Sequence, residues 1–154
     1  MDKATLVKSL KALVKSQYDR AISALAGAAE AATGDDTKAE GKYDTRGLEA
    51  SYLAAGQAEQ ADELAQAVAQ LEAAEFPNFD FDDPIGAGAL VEAERDGELV
   101  YYLLAPAGGG LSLETEEGEQ VTVLGAGAPL RSRLMGQSSG TILEDIDLTI
   151  LEVM

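Results

Sequence analysis

Two apolar stripes of equal length constrain the fold of this chain more than any other feature of its sequence. In each stripe, apolar or small residues recur at spacings of three and four, which is the period of one face of an α-helix. The stripes consist of Val7, Leu10, Val14, Tyr18, Ala21, Leu25 and Ala28, and of Ala50, Leu53, Gln57, Ala61, Leu64, Val68 and Leu71. Asp44 or Thr45 is a plausible N-cap for the second helix. We therefore predict an antiparallel helical hairpin over residues 1–75.

The segment between the stripes, near residues 33–45, is rich in charge, and we call it the acidic segment. It carries four acids among basic residues: Asp35, Asp36, Glu40 and Asp44, with Lys38, Lys42 and the following Arg46. A hydrated loop is the simplest interpretation, although carboxylates just past a helix C-terminus oppose the helix dipole. The alternative is a carboxylate tip that reaches into the active site of another molecule. Asp44 is interpreted as an N-cap of the second helix rather than as a metal ligand. The basic residues are interpreted as neutralising the charge of the neighbouring acids.

The second half of the chain, residues 88–154, shifts from the helical period toward the alternation typical of β-strands. Pro77 stops the second helix, and residues 76–87 are predicted to be a linker. The predicted elements are a hairpin over residues 89–105 that turns at Arg95-Asp96-Gly97, short strands in 111–114 and 120–124, a helix over 129–136, and one closing strand over 142–153. The fold class is therefore α+β, with a small antiparallel sheet and one short helix.

Composition excludes several classes of function. The chain has no histidine and no cysteine, so hydrolases that use a Ser-His or Cys-His pair and thiolate metal sites are ruled out. Its net charge of −17 is uneven: residues 1–46 carry eight bases and seven acids, and residues 47–154 carry three bases and 21 acids, which gives +1 and −18. Such a chain should repel free nucleic acid. No signal peptide or membrane-length apolar run is present in the sequence, and we expect a cytoplasmic protein without a membrane partner.

Three stretches resemble the bacterial Gre transcript-cleavage (elongation) factors. These are TGDDTKAEGKYDTRGLEASYLAAGQA in the acidic segment and second helix, LAPAGGGLSLE followed by QVTVLGAGAPLRSRLMGQSSG in the sheet half, and the closing ILEDIDLTILEV. KYDTRGLEASYLAAGQA is more closely similar to a subgroup of short Gre-like proteins. The resemblance covers nearly the whole chain in order. It implies a coiled-coil helical hairpin followed by an FKBP-like domain.

The resemblance also implies a partner and a chemistry. Its partner would be RNA polymerase, whose secondary channel the hairpin enters, so the chain would assist the polymerase rather than be an enzyme itself. Tip carboxylates would then help to hold Mg²⁺ at the polymerase active site and position a water for hydrolysis of backtracked RNA. Asp35 carries over by the Gly-Asp motif, and Asp36 or Glu40 supplies the second carboxylate. Asp35 and Asp36 would be the transient Mg²⁺ ligands, with no cofactor bound stably, and a monomer is expected.

The chain departs from the family pattern at three places. Lys38 stands where these factors carry a Glu three residues after the Asp, and Arg131 and Gly140-Thr141 replace a Gly and a Gly-Asp in and after the short helix. The first departure opens the alternative of a polymerase regulator without cleavage activity, and the other two bear on docking. A helical-hairpin interaction module with an unrelated partner is the third interpretation.

Overall fold

The structure, a computed structural model, describes residues 1–33 and 46–154. Three helices and six strands follow one another along this part of the chain. They are α1 (Lys3–Thr33), α2 (Arg46–Ala73), β1 (Leu90–Arg95), β2 (Glu98–Leu104), β3 (Ser112–Glu114), β4 (Gln120–Leu124), α3 (Pro129–Leu134), β5 (Ile142–Leu143) and β6 (Leu148–Val153). A helical pair followed by a mostly antiparallel sheet with one short helix confirms the predicted α+β class.

Two compact units account for the described residues. The helical unit is Ala12–Ala69, and the sheet unit combines Met1–Lys11 with Gln70–Met154. The predicted linker, residues 76–87, and both ends of the predicted hairpin therefore pack with the sheet unit. The reason lies in side-chain size, since Leu10 and Leu71 at these ends are almost completely buried and large apolar side chains contribute most to a core.

The helices α1 and α2 run antiparallel. Lys11 of α1 lies 3.9 Å from Glu72 of α2, whereas α1 residues 17–24 share a groove with α2 residues 57–64. The position on α2 therefore falls as the position on α1 rises. On α1 the predicted stripe is confirmed: Leu10, Val14, Ala21 and Ala28 are buried, and Val7, Tyr18 and Leu25 are half-buried.

The first half of α2 is more exposed than its apolar pattern predicts. Leu53, a member of the predicted stripe, is 57% exposed, and its neighbours Leu48 and Tyr52 are 53% and 69% exposed. In the antiparallel order, Leu53 falls opposite the α1 turn around Ala28. Alanine side chains are too short to form a deep groove that would bury a leucine. The prediction of a buried stripe is therefore wrong for this part of α2.

The six strands form one sheet in the order β3-β4-β2-β1-β6-β5. Every neighbouring pair is antiparallel except β2 and β4, which are parallel because the chain passes to the edge strand β3 before it returns. The β1–β2 hairpin turns at Asp96 and Gly97, whose φ angles of 52° and 80° are those of a type I′ turn. This confirms the turn predicted at Arg95-Asp96-Gly97.

The predicted closing strand over residues 142–153 is wrong as a single element. The chain forms β5, then one turn of 3₁₀ helix over Glu144–Ile146, and then reverses into β6. Asp147 at the reversal has a φ angle of 46°, a left-handed conformation that Asp tolerates better than most residues. A tight turn within a segment of alternating apolar and polar residues therefore divides it into two antiparallel strands.

The core of the sheet unit lies on the sheet face that carries α3, which we call the inner face. Its buried members are Ile85, Ala89, Val91, Ala93, Tyr102, Leu104, Leu124, Leu134, Leu148, Ile150 and Val153. Gly88 brings the chain close to the end of α2 just before β1. Its φ angle is +83°, and a Cβ there would lie 2.6 Å from the main-chain oxygen of Glu75, so only glycine fits.

Lys3 links three remote parts of the sheet unit. Its ammonium donates hydrogen bonds to the main-chain oxygens of Pro77 and of Met154, the latter at 2.9 Å. The same nitrogen lies 5.1 Å from the ring centroid of Phe79, within the range of a cation–π contact. Lys3 is only 9% exposed, and burial lowers its pKa from 10.5 to about 8. The first turn of α1 is thus held to the segment after α2 and to β6.

Arg131 performs a similar task between β2, β4 and α3. Its Nη1 atom donates to the main-chain oxygens of Ala105 and Leu124 at 2.6 and 3.2 Å, at the ends of the parallel strands. We predict that Arg131→Met lowers the free energy of unfolding by about 1.5–3 kcal/mol, because hydrogen bonds to charged groups are worth that much. The oxygen of Ala105 loses its bond to the guanidinium, whereas that of Leu124 keeps the bond from the main-chain N–H of Ala105. Urea denaturation measures this loss.

Arg133→Met is the matched control for this prediction. Arg133 lies on the same helix and forms an exposed bidentate ion pair with Asp145 at 2.7 and 2.8 Å. Exposed pairs contribute little to stability, so this variant should leave the urea midpoint almost unchanged. Equal losses in the two arginine variants would refute a special role for Arg131.

Candidate functional site

The candidate functional site predicted from sequence is the segment between α1 and α2. Its proposed carboxylates, Asp35, Asp36 and Glu40, fall within residues 34–45, which lie outside the described part of the chain. Lys38 and Asp44 fall there too. Residues 34–45 hold four acids and two lysines, a net charge of −2.

The helices that flank this segment are described. Helix α1 ends at Thr33 and α2 begins at Arg46. Because the two helices are antiparallel, the end of α1 and the start of α2 belong to the same end of the helical unit. Residues 34–45 are therefore attached on both sides at that end. The 22 residues of α1 within the helical unit, 12–33, correspond to about 33 Å of helix.

Small side chains dominate the contact between the two helices. Ala21, Ala28 and Ala61 are buried, and short side chains at a contact allow helix axes to approach closely. An open groove of about 560 Å³ runs beside them, lined by Gln17, Arg20, Ala21, Ala24, Gln57, Gln60, Glu63 and Leu64. Its lining is polar and alanine-rich, without a large apolar floor. This groove is open to solvent and does not form an enclosed ligand pocket.

A lysine face on α1 is a second feature that the sequence indicates. Lys8, Lys11 and Lys15 recur at helical spacing, which predicts one solvated face with Glu59 or Asp62 on α2 as candidate ion-pair partners. The structure instead places Lys11 beside Glu72 at 3.9 Å, and Asp62 accepts a hydrogen bond from Gln66 at 3.1 Å. The antiparallel order explains the difference, since Glu59 and Asp62 fall opposite the α1 turns after Gln17. The exposed Lys8 and Lys15 fit a solvated face.

The described part of the chain offers no alternative metal site. Residues 1–33 and 46–154 contain no group of three acidic, histidine or cysteine side chains that could hold a metal ion. Whether the chain could help to bind Mg²⁺ therefore depends on the carboxylates of the acidic segment. Its carboxylates are the oxygen donors that Mg²⁺ prefers, but Asp35 and Asp36 alone leave most of an octahedral shell to be filled by another molecule and by water.

Two polar contacts in the sheet unit were missed from sequence. The hydroxyl of Tyr101 donates to Glu119 at 3.0 Å. Burial, this hydrogen bond and the nearby charges of Glu92, Glu119 and Glu117 raise the pKa of Tyr101 to about 12. The other is Arg131, which was considered for docking and which binds main-chain oxygens at the strand ends instead. Both depend on contacts between residues distant in sequence, which local patterns do not reveal.

The fold and the predicted site together describe an antiparallel helical pair with an acidic connection, followed by a small α+β sheet unit. Among solved structures, the chain is similar to the crystal structure of GreA factor homolog 1 of Thermus thermophilus, with 17% identity, 94% of each chain covered and a TM-score of 0.37. No protein-family model matches the chain, and no curated protein matches it in sequence. None of the described helices has the length and apolar character needed to cross a membrane.

Proposed function

We propose that this protein binds RNA polymerase and stimulates the polymerase's own cleavage of backtracked RNA. In this proposal the helical pair enters the secondary channel, and residues 34–45 bring carboxylates to the catalytic centre of the polymerase. The protein supplies groups to a reaction that the polymerase carries out and is not an enzyme by itself.

The observation that carries the proposal is the antiparallel order of α1 and α2. It attaches the acidic segment, with its four acids, to the ends of two helices at one end of the helical unit. The resemblance of TGDDTKAEGKYDTRGLEASYLAAGQA to Gre factors supports the same interpretation from sequence. Composition agrees as well, since a chain without histidine and cysteine can contribute carboxylates but few other catalytic groups.

Each acid of the segment has a defined role in the proposal. Asp35 supplies the first carboxylate, and Asp36 or Glu40 supplies the second. When bound, Mg²⁺ would neutralise charge on the phosphate that reacts and lower the pKa of a water ligand. The carboxylates would bind the cation, accept hydrogen bonds from the attacking water and hold it in line with the scissile bond. Asp44 would cap α2 rather than take part.

A second candidate function is regulation of the polymerase without cleavage. It is favoured by Lys38, which puts a positive charge three residues after Asp35, where the Gre pattern has an acid. A lysine there would compete for the same carboxylates that the cation requires. The protein would then occupy the channel and modulate initiation or pausing.

A third candidate is a helical interaction module with a different partner. The exposed side chains of Leu48, Tyr52 and Leu53 on α2 favour it, since exposed large apolar residues in a cluster are typical of protein-binding surfaces. Residues 48 and 52 are four apart and share one helix face.

A binding experiment separates the polymerase functions from the interaction module. The full chain, carrying an affinity tag, is incubated with purified core RNA polymerase from the same host, and the retained polymerase is quantified. We expect stoichiometric retention that persists when excess free RNA is added, because the net charge of −17 disfavours a bridge through nucleic acid. Failure to retain polymerase under any ionic strength would eliminate both polymerase functions.

A further inference from the structure

The face of the sheet opposite α3, which we call the outer face, is only partly covered. Directly paired residues of neighbouring strands point to the same face. The register pairs Ile142 with Thr149, Thr149 with Glu94, and Glu94 with Leu99. These four residues therefore form a row on the outer face, across β5, β6, β1 and β2. We call these four residues, together with the acids Glu92 and Glu152 of the next row, the open row.

Two large apolar side chains at the ends of the open row are exposed to solvent. Leu99 is 52% exposed and Ile142 is 61% exposed. Leu151, at the irregularity where β6 carries one extra residue opposite Glu92 and Ala93 of β1, is 39% exposed. By contrast, Leu90, Leu103 and Val123, farther along the outer face, are almost fully buried. The exposed apolar area is thus confined to one end of an otherwise packed face.

Every charged residue that the described pairing places on this part of the face is acidic. Glu94 lies within the row, Glu92 and Glu152 pair with each other in the next row, and Glu119 accepts the hydrogen bond from Tyr101. Burial raises the pKa of the Tyr101 hydroxyl, and its hydrogen bond to Glu119 and the charges of Glu92, Glu119 and Glu117 raise it further. A partner surface must therefore bring positive charge to gain from contact here.

The spacing between the residues of the row indicates which conformation of a partner segment would fit it. Neighbouring strands lie about 4.8 Å apart, so the three steps from Ile142 to Leu99 cover about 14 Å. In an extended chain, residues i, i+2 and i+4 point to one side, and i to i+4 covers about 13 Å. A segment with an apolar residue at each end and a lysine or arginine between them would set its apolar side chains on Ile142 and Leu99 and its cation over Glu94.

We propose that the open row is a docking surface for an extended basic segment of a protein partner, with the pattern apolar-x-Lys/Arg-x-apolar. Exposed Leu99 and Ile142 receive the apolar side chains, and Glu94, with Glu92 in the next row of the same face, receives the cation. This surface lies in the sheet unit and does not rest on the proposed function of the acidic segment.

Titration of the full-length, nitrogen-15-labelled protein with the capped peptide GSLSKSLSG tests the proposal by nuclear magnetic resonance. We expect saturable shifts concentrated on the amides of β1, β2, β5 and β6 around Glu94, Leu99 and Ile142. The peptides GSLSESLSG and GSSSKSSSG should bind at least about tenfold more weakly, because each lacks one of the two required features. Shifts that are absent, or that spread over acids throughout the chain, would overturn the proposal.

Variants locate the contact independently. Glu94→Gln should weaken binding of the lysine peptide about fivefold or more, and the double variant Leu99→Ser with Ile142→Ser should abolish it. All three side chains are exposed, so the fold should survive, and circular dichroism checks this. The matched control is Glu59→Gln, which removes one exposed charge from α2. Equal weakening by Glu59→Gln and Glu94→Gln would show attraction to overall charge alone and would also overturn the proposal.

Discussion

Asp35→Ala is expected to lower the protein-stimulated rate of RNA cleavage in backtracked transcription complexes by about 100-fold, because removal of one charged group that acts on the transition state commonly costs that much. Binding to polymerase should change little, since the helices that carry the segment are untouched. The measurement is shortening of 3′-labelled RNA in halted complexes, with and without the protein. Asp19→Ala is the matched control, since Asp19 is an exposed acid on α1, and this variant should stimulate cleavage by the polymerase as the wild type does.

The same assay identifies the second carboxylate. Whichever of Asp36→Ala and Glu40→Ala matches the loss in Asp35→Ala marks the second proposed group. Lys38→Glu should raise the stimulated rate, because it restores an acid three residues after Asp35. If the wild-type protein binds polymerase but does not accelerate cleavage at all, the cleavage function is refuted and the regulator without cleavage activity takes its place.

The second large effect is a dependence of stability on pH through Lys3. Burial lowers its pKa in the folded protein to about 8 from 10.5, so between these values the unfolded chain keeps a proton that the folded chain has released. The contribution of Lys3 to the free energy of unfolding therefore grows as the pH rises from about 8 to 10.5, and it is lost again as the pH falls back through this window to the folded-state pKa. Across this window, we expect the difference in unfolding free energy between wild type and Lys3→Met to grow by about 3 kcal/mol in favour of wild type.

Urea denaturation at several pH values measures this change. Lys15→Met is the control, because Lys15 is exposed on the same helix, and its difference from wild type should stay constant across the window. Comparison with Lys3→Met also removes the opposite contribution of Tyr101, whose raised pKa makes stability fall as the pH rises from about 10 to about 12. A Lys3→Met difference that is independent of pH would contradict the buried position of Lys3.

The elements of this fold that depend on local sequence could be predicted. The stripe on α1, the Asp96-Gly97 turn and the short helix that starts at Pro129 each follow from spacing or turn chemistry within a few residues. The reversal at Asp147 was missed because apolar residues alternate on both sides of it, and an alternating pattern does not reveal where a strand doubles back. The parallel pairing of β2 and β4 was missed because it depends on the order of strands in the sheet.

Contacts between distant residues account for the other differences. In the sequence, Lys3 and Arg131 cannot be distinguished from charged residues on the surface. The folded structure shows that each binds main-chain oxygens of remote segments. Leu53 fits the helical period yet stays exposed, because the period does not record that the facing turn is made of alanine. The open row became visible only once four strands were placed in register. The roles of Asp35, Asp36 and Glu40 remain predictions from sequence, since these residues lie outside the described part of the chain.

Photochemical crosslinking is the most direct test of whether the acidic segment between α1 and α2 reaches the catalytic centre of the polymerase. A photoreactive side chain is placed at Thr37, the labelled protein is bound to a backtracked complex, and the crosslinked products are mapped. The account predicts crosslinks to the displaced 3′ end of the RNA and to the polymerase active site. Stable binding to polymerase with crosslinks only to its outer surface would contradict it.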